Sequence, residues 1–118
     1  MIQGIGVDVV ALSRVQEMRD KNDFLGNILT PDEIVKRECQ REHENYPWIL
    51  FAVKEALFKA LGCGLMMGSL WHDVDLSNTG SINLTGKIKE LACQRSVRNI
   101  YYTHATSKNY VVAVVILE

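Results

Sequence analysis

The 118-residue sequence has two prolines and three cysteines, and Cys39, Cys63 and Cys93 form no CxxC pair. Odd in number and widely spaced, they exclude a disulfide framework or a zinc site and read as reduced thiols of a cytoplasmic protein. Long hydrophobic runs are missing: the longest, Tyr110–Leu117, is eight residues, against the roughly 20 a membrane helix needs. No basic segment opens the chain, and Asp8 interrupts its first apolar stretch, so no signal peptide is expected. Neither charge is in excess: thirteen Lys and Arg against fourteen Asp and Glu leave −1, which argues against general nucleic-acid binding. Linkers, internal repeats and low-complexity tracts are absent. One domain spanning residues 1–118 is expected, and a domain of this size buries roughly two-thirds of its unfolded surface.

What is present reads as an α+β domain. Residues 2–10 alternate as a strand, with Ile5, Val7 and Val9 on one side and Gly4, Gly6 and Asp8 on the other. Glycine inside a strand marks close approach by a ligand or another backbone, so Asp8 is expected over a face stripped of side chains. Ser13 is a candidate cap for a helix to about residue 21. Thr30-Pro31-Asp32-Glu33 is a capping box with proline at the first helical position, opening a helix to about residue 44. A third helix is expected over residues 47–61, closed by Gly62. Residues 73–77 and 82–84 read as a short hairpin, and Thr85 as the cap of a short helix. Residues 99–104 and 110–118 form a closing hairpin. Helices and strands come in blocks, which predicts a mainly antiparallel sheet with helices packed on it.

The third helix, WILFAVKEALFKALG from Trp48, is apolar on every side and must be buried in the domain or at a subunit interface. Its only charges are Lys54, Glu55 and Lys59. Glu55 and Lys59 are four apart and share a face, which fits either an exposed ion pair or a divalent metal with a phosphate beside it. Residues 86–109 carry Lys87, Lys89, Arg95, Arg98 and Lys108 against Glu90 alone. That stretch is either a solvated surface or a basic face for a phosphorylated ligand or acidic partner.

Three blocks of the sequence resemble one family. Gly4-Ile5-Gly6-Val7-Asp8-Val9-Val10 with Arg14, Ile28-Leu29-Thr30-Pro31-Asp32-Glu33, and the run from Phe51 to Gly62 are similar, in order and spacing, to the holo-acyl-carrier-protein synthases. These are small phosphopantetheinyl transferases, and the resemblance covers nearly the whole chain. It implies transfer of the 4′-phosphopantetheine arm of coenzyme A to a serine of an apo acyl carrier protein, releasing adenosine 3′,5′-bisphosphate. It further implies that Asp8 and Glu55 ligate Mg²⁺ and that Lys59 holds the coenzyme A phosphates, with Gly62 and Gly64 beside them. Arg14 would meet the acidic carrier helix, and the assembly would be a homotrimer with sites between subunits. For the base that takes the serine proton, a metal-bound water and Glu55 both stand.

The family pattern is not complete. Family arginines are replaced by Leu50 and Asn27, and a hairpin proline by Ile82. The family's strand-end histidine precedes a tyrosine by four residues, whereas His104 precedes Tyr110 by six. Either the turn has grown by two residues, leaving His104 at the 3′-phosphate of coenzyme A, or Thr106 takes that place; the lengthened turn is the expectation. The second functional reading is a degenerate trimeric binding protein with little transferase activity.

Overall fold

In a computed structural model the structure describes residues 1–40, 44–63, 70–78 and 80–118. Strand β1 (Gly4–Ala11) pairs antiparallel along its length with β5 (Tyr110–Leu117), and β5 pairs with β4 (Ile100–Thr106), giving the order β1-β5-β4. A second ladder joins β2 (Val74–Asp75) to β3 (Asn83–Leu84), shorter on both sides than expected. The helices are α1 (Leu12–Gln16), α2 (Lys21–Ile28), α3 (Pro31–Gln40), α4 (Tyr46–Leu61) and α5 (Gly86–Gln94). This is the α+β architecture expected, a compact single domain.

The glycine side of β1 faces inward. A Cβ on Gly6 would overlap the carbonyl oxygen of Ala56, and one on Gly4 that of Ala60. Another backbone, that of α4, is therefore what approaches, and the two glycines let the helix lie directly on the strand. The branched side chains turn outward: Ile5, Val7 and Val9 are 57%, 48% and 56% exposed. Strand β5 buries Val111, Ala113, Val115 and Leu117 completely against α4, yet its other face is also apolar.

Helix α4 is apolar all round because it lies between two layers of its own chain. One side meets the sheet. The other carries Trp48, Phe51 and Phe58, which stack with Phe24 of α2 and Trp71, with ring centroids 5.1–6.3 Å apart. A subunit interface is not needed to explain this helix. Its C-terminus closes on Gly62 in the left-handed region (φ 73°), with Gly62 N–H donating to the Lys59 carbonyl and Cys63 N–H to that of Phe58. This is the Schellman arrangement that glycine favours.

Lys54 and Glu33 are both fully buried and 2.8 Å apart. Glu33 forms the capping box with Thr30 and also accepts from Leu76 N–H at 2.7 Å. Lys54 donates further to the carbonyls of Ile28 and Trp71. Burial lowers the Lys54 pKa, and the neighbouring Glu33 charge works against that. Asp75 is held below the usual carboxylate range: burial favours its protonated form, but hydrogen bonds from Ser77 and Thr30 outweigh burial. One polar network thus pins α2, α3, α4 and β2 together.

Other local expectations need correction. Ser13 caps nothing; α1 begins at Leu12, after Ala11, and ends at Gln16, because Leu12 and Val15 are the positions that bury. A separate helix, α2, follows. Thr85 makes no side-chain cap on α5; the Asp73 carboxylate accepts from the backbone N–H groups of Lys87 and Ile88 instead. Helix α3 is described over Pro31–Gln40 and Glu44, where its end was expected, lies in a turn; residues 41–43 lie outside the described residues.

Candidate active site

Asp8 sits on the inner face of β1, the next inward position after Gly6, with its side chain 12% exposed. The register aligns Asp8, Ala113 and His104 in one row across the sheet. Helix α4 places Ala56 over Gly6 and Ala60 over Gly4, so Glu55 and Lys59 flank the strand where Asp8 emerges. Lys59 Nζ lies 2.8 Å from Asp8 Oδ1 and 3.2 Å from the Val7 carbonyl oxygen. Glu55 is half-buried, and its pKa is raised by burial first and by the Asp8 charge second, with Lys59 opposing. The three residues expected to act together are gathered by β1 and a single turn of α4.

The donor set fits magnesium. Two carboxylates, Asp8 and Glu55, lie near enough for the Asp8 charge to raise the Glu55 pKa, and among the described residues no group of three or more His, Cys, Asp or Glu could hold a metal. Mg²⁺ takes hard oxygen ligands and keeps several waters, needing one or two protein carboxylates plus substrate phosphates. Asp8 and Glu55 are the residues that could hold it.

A carboxylate whose pKa is raised binds its proton more tightly in the folded state. Glu55 therefore costs stability as pH rises from the ordinary carboxylate range through its raised folded pKa. In metal-free protein Glu55→Gln is expected to raise Tm at pH 7 by roughly 1–3 °C, a value kept small by the residue's exposure. Melting curves should show the difference shrinking toward about pH 4, where a carboxyl group regains its proton. A destabilised Glu55→Gln protein at pH 7 would contradict this electrostatic account.

Other expected site residues are placed as follows. His104 is exposed and lies on the face that carries Asp8. Strand β4 continues through Ala105, paired with Val112, and Thr106, paired with Val111. The turn is therefore Ser107-Lys108-Asn109, and the two extra residues belong to the strand rather than to a longer turn. Thr106 stands at the strand end, four residues before Tyr110, on the same face as His104. His104 and Thr106 therefore both stand on the face of β4 that carries the Asp8 row. Gly62 serves as the helix cap, and Gly64 lies outside the described residues. Arg14 is exposed on α1, whose start is tied to the hairpin turn by Leu12 N–H donating to Asn109 O at 2.9 Å.

The basic stretch divides. Lys108 is in the turn beside this end of the sheet, while Arg98 N–H pairs with Glu118 O at the far end. Arg95 is half-buried, its guanidinium donating to the Ala60 carbonyl at 3.1 Å and the Gln3 carbonyl at 2.6 Å. It braces β1 against α4, a role that no periodicity in the sequence signals. Leu50 belongs to the core at 4% exposure, and Asn27 is exposed. Among the described residues no helix is long and apolar enough to cross a membrane.

Comparison with known proteins gives concordant matches. The family model described as the 4′-phosphopantetheinyl transferase superfamily matches residues 4–115. A holo-[acyl-carrier-protein] synthase of Vibrio cholerae serotype O1 is 33% identical over 124 aligned positions, covering 100% of this chain and 98% of that protein. The Photobacterium profundum protein of the same name is 37% identical, with 99% and 98% covered. Among solved structures, the holo-[acyl-carrier-protein] synthase of Neisseria meningitidis superposes with a TM-score of 0.87 at 26% identity, over 100% of this chain and 99% of that one. The Helicobacter pylori synthase, solved in complex with coenzyme A, gives 0.77 at 27% identity, over 97% and 99%.

Proposed function

This chain belongs to the 4′-phosphopantetheinyl transferase superfamily, and on that premise we propose that it transfers the 4′-phosphopantetheine group of coenzyme A to a serine of an apo acyl carrier protein. It is a phosphopantetheinyl transferase, and its substrates are coenzyme A and the carrier protein. The observation that carries the reading is the gathering of Asp8, Glu55 and Lys59 between β1 and α4 in a chain matched over its full length. A binding protein without transferase activity would have no use for that gathering.

The reaction joins the serine oxygen to the pantetheine-side phosphorus and breaks its bond to the bridging oxygen, releasing adenosine 3′,5′-bisphosphate. Charge builds on the leaving phosphate, and catalysis consists mainly in neutralising it and holding the nucleophile in line. Mg²⁺ held by Asp8 and Glu55 would supply part of that neutralisation. Lys59, on a flexible stem at the rim, supplies a point charge to the phosphates. Glu55, whose pKa is raised by burial, is proposed as the protein group that takes the serine proton. His104 on the Asp8 row, with Thr106 and Lys108 beyond it, is the proposed seat of the adenosine phosphate end, and Gly62 is proposed to border the pyrophosphate. The three unpaired cysteines suit a cytoplasmic setting. Adenosine 3′,5′-bisphosphate should form only with coenzyme A, apo carrier and Mg²⁺ together, and a chelator should stop it. Release without the carrier would refute group transfer.

Arg14 is proposed to meet the acidic surface of the carrier. Arg14→Glu is expected to raise KM for the carrier by about 3–10-fold with little change for coenzyme A, the scale of reversing one exposed charge. Such a contact is screened by salt, so wild-type KM for the carrier should climb with ionic strength. A flat salt profile would contradict the contact.

A homotrimer is likewise proposed. Its support is the outer face of the sheet, where Ile5, Val7 and Val9 adjoin Val112, Val114 and Ile116. A strand apolar on both faces, as β5 is, belongs to a sheet covered on both sides. Val7→Lys should convert the assembly to monomers in sedimentation equilibrium. A wild-type protein that sediments as a monomer would overturn it.

A further inference from the structure

The Lys59 contact has a consequence for how metal and substrate bind. Lys59 Nζ donates to Asp8 Oδ1 at 2.8 Å and to the Val7 carbonyl at 3.2 Å. Among the described residues no other group donates a hydrogen bond to Asp8, whose side chain is only 12% exposed. Glu55 stands close enough to Asp8 for the two carboxylates to repel. The protein thus answers two adjacent negative charges with one cation of its own. Lys59 is rooted on α4 but 51% exposed, so its ammonium can swing toward solvent without disturbing the helix. A carboxylate oxygen in contact with an ammonium is a weakened ligand for a second cation, because the two positive charges repel at that range.

Resting on the reading of Asp8 and Glu55 as metal donors, we propose that Lys59 is the resident counter-cation of this carboxylate pair and releases Asp8 to a divalent ion only when a phosphate-bearing ligand takes up the ammonium. Metal and pyrophosphate ligand then bind as a pair, and neither binds tightly alone. The coupling is reciprocal: the factor by which coenzyme A tightens metal binding equals the factor by which metal tightens coenzyme A.

The test uses Mn²⁺ as probe, with free ion counted by electron paramagnetic resonance, on wild type, Lys59→Met and Asp8→Asn, with and without coenzyme A. Without coenzyme A, Lys59→Met is expected to bind Mn²⁺ about tenfold more tightly than wild type, the lower end of what a contacting opposite charge does to a carboxylate. The tightening produced by coenzyme A should be smaller in Lys59→Met than in wild type. The gain should persist in about 0.5 M KCl, where only contacts within a few ångström escape screening. Equal affinities of wild type and Lys59→Met, or a gain that vanishes in high salt, overturns the proposal and leaves the metal reading intact. Asp8→Asn binding Mn²⁺ as well as wild type with coenzyme A present overturns both. Circular dichroism confirms that each variant is folded.

Discussion

Glu33→Ala is expected to lose about 3–5 kcal/mol of folding free energy, the cost of leaving a buried charge without its partner. Domains of this kind hold only about 5–15 kcal/mol in all, so the variant should be largely unfolded at physiological temperature. The size follows from how much Glu33 does. One carboxylate oxygen accepts from Lys54 and from Thr30 N–H, both at 2.8 Å, and the other from Leu76 N–H. Removing it strands the Lys54 ammonium, which is fully buried, uncaps α3 and frees the backbone beyond β2. Glu33→Gln keeps the shape and should be milder, and adding Lys54→Met should recover part of the loss by removing the stranded charge. Urea unfolding measures all three. A cost below about 1 kcal/mol for Glu33→Ala, the scale of an exposed pair, would contradict this view of the network.

Asp8→Ala and Glu55→Ala are each expected to lower kcat by about 10³-fold or more, the scale of removing a preorganised charge from a transition state. Both variants should fold, since Asp8 stands beyond the packed glycine rows and Glu55 is only half-buried. The double variant should be little slower than either single one, because two ligands of one ion act as a unit. Steady-state rates at saturating coenzyme A test this. Losses that multiply in the double variant would mean that the residues do not serve a common site.

Much of this arrangement was legible in the residues. Thr30 and Glu33 carry the spacing of a capping box and form it, and Gly62 closes α4 as its position implies. The glycines of β1 marked a close approach and the spacing of Glu55 and Lys59 put them on one helix face, whereas only the family resemblance joined Asp8 to them. What escaped depended on partners distant in the chain. Asp73 caps α5 through N–H groups 14 and 15 residues away, a contact that Thr85 concealed locally. Helix α2 is hard to read from the sequence because Asn22, Asp23, Gly26 and Asn27 dilute its propensity, although Phe24, Leu25 and Ile28 keep a helical face. Lys54 read as one of three charges on an apolar helix; its pairing with Glu33 appears only once α3 is folded against α4. The outward turn of Ile5, Val7 and Val9 reverses the usual reading of a branched strand face, because the helix takes the glycine side. For Tyr102-Thr103-His104, strand pairing to β5 continues to Thr106, two residues further than the sequence pattern implied.

Mass spectrometry of an apo acyl carrier protein after incubation with this protein, coenzyme A and Mg²⁺ tests the central claim most directly. The carrier should gain the mass of one 4′-phosphopantetheine group on its acceptor serine, and neither a carrier lacking that serine nor the Asp8→Ala enzyme should give the gain. An unmodified carrier after prolonged incubation with folded wild-type protein would contradict the account.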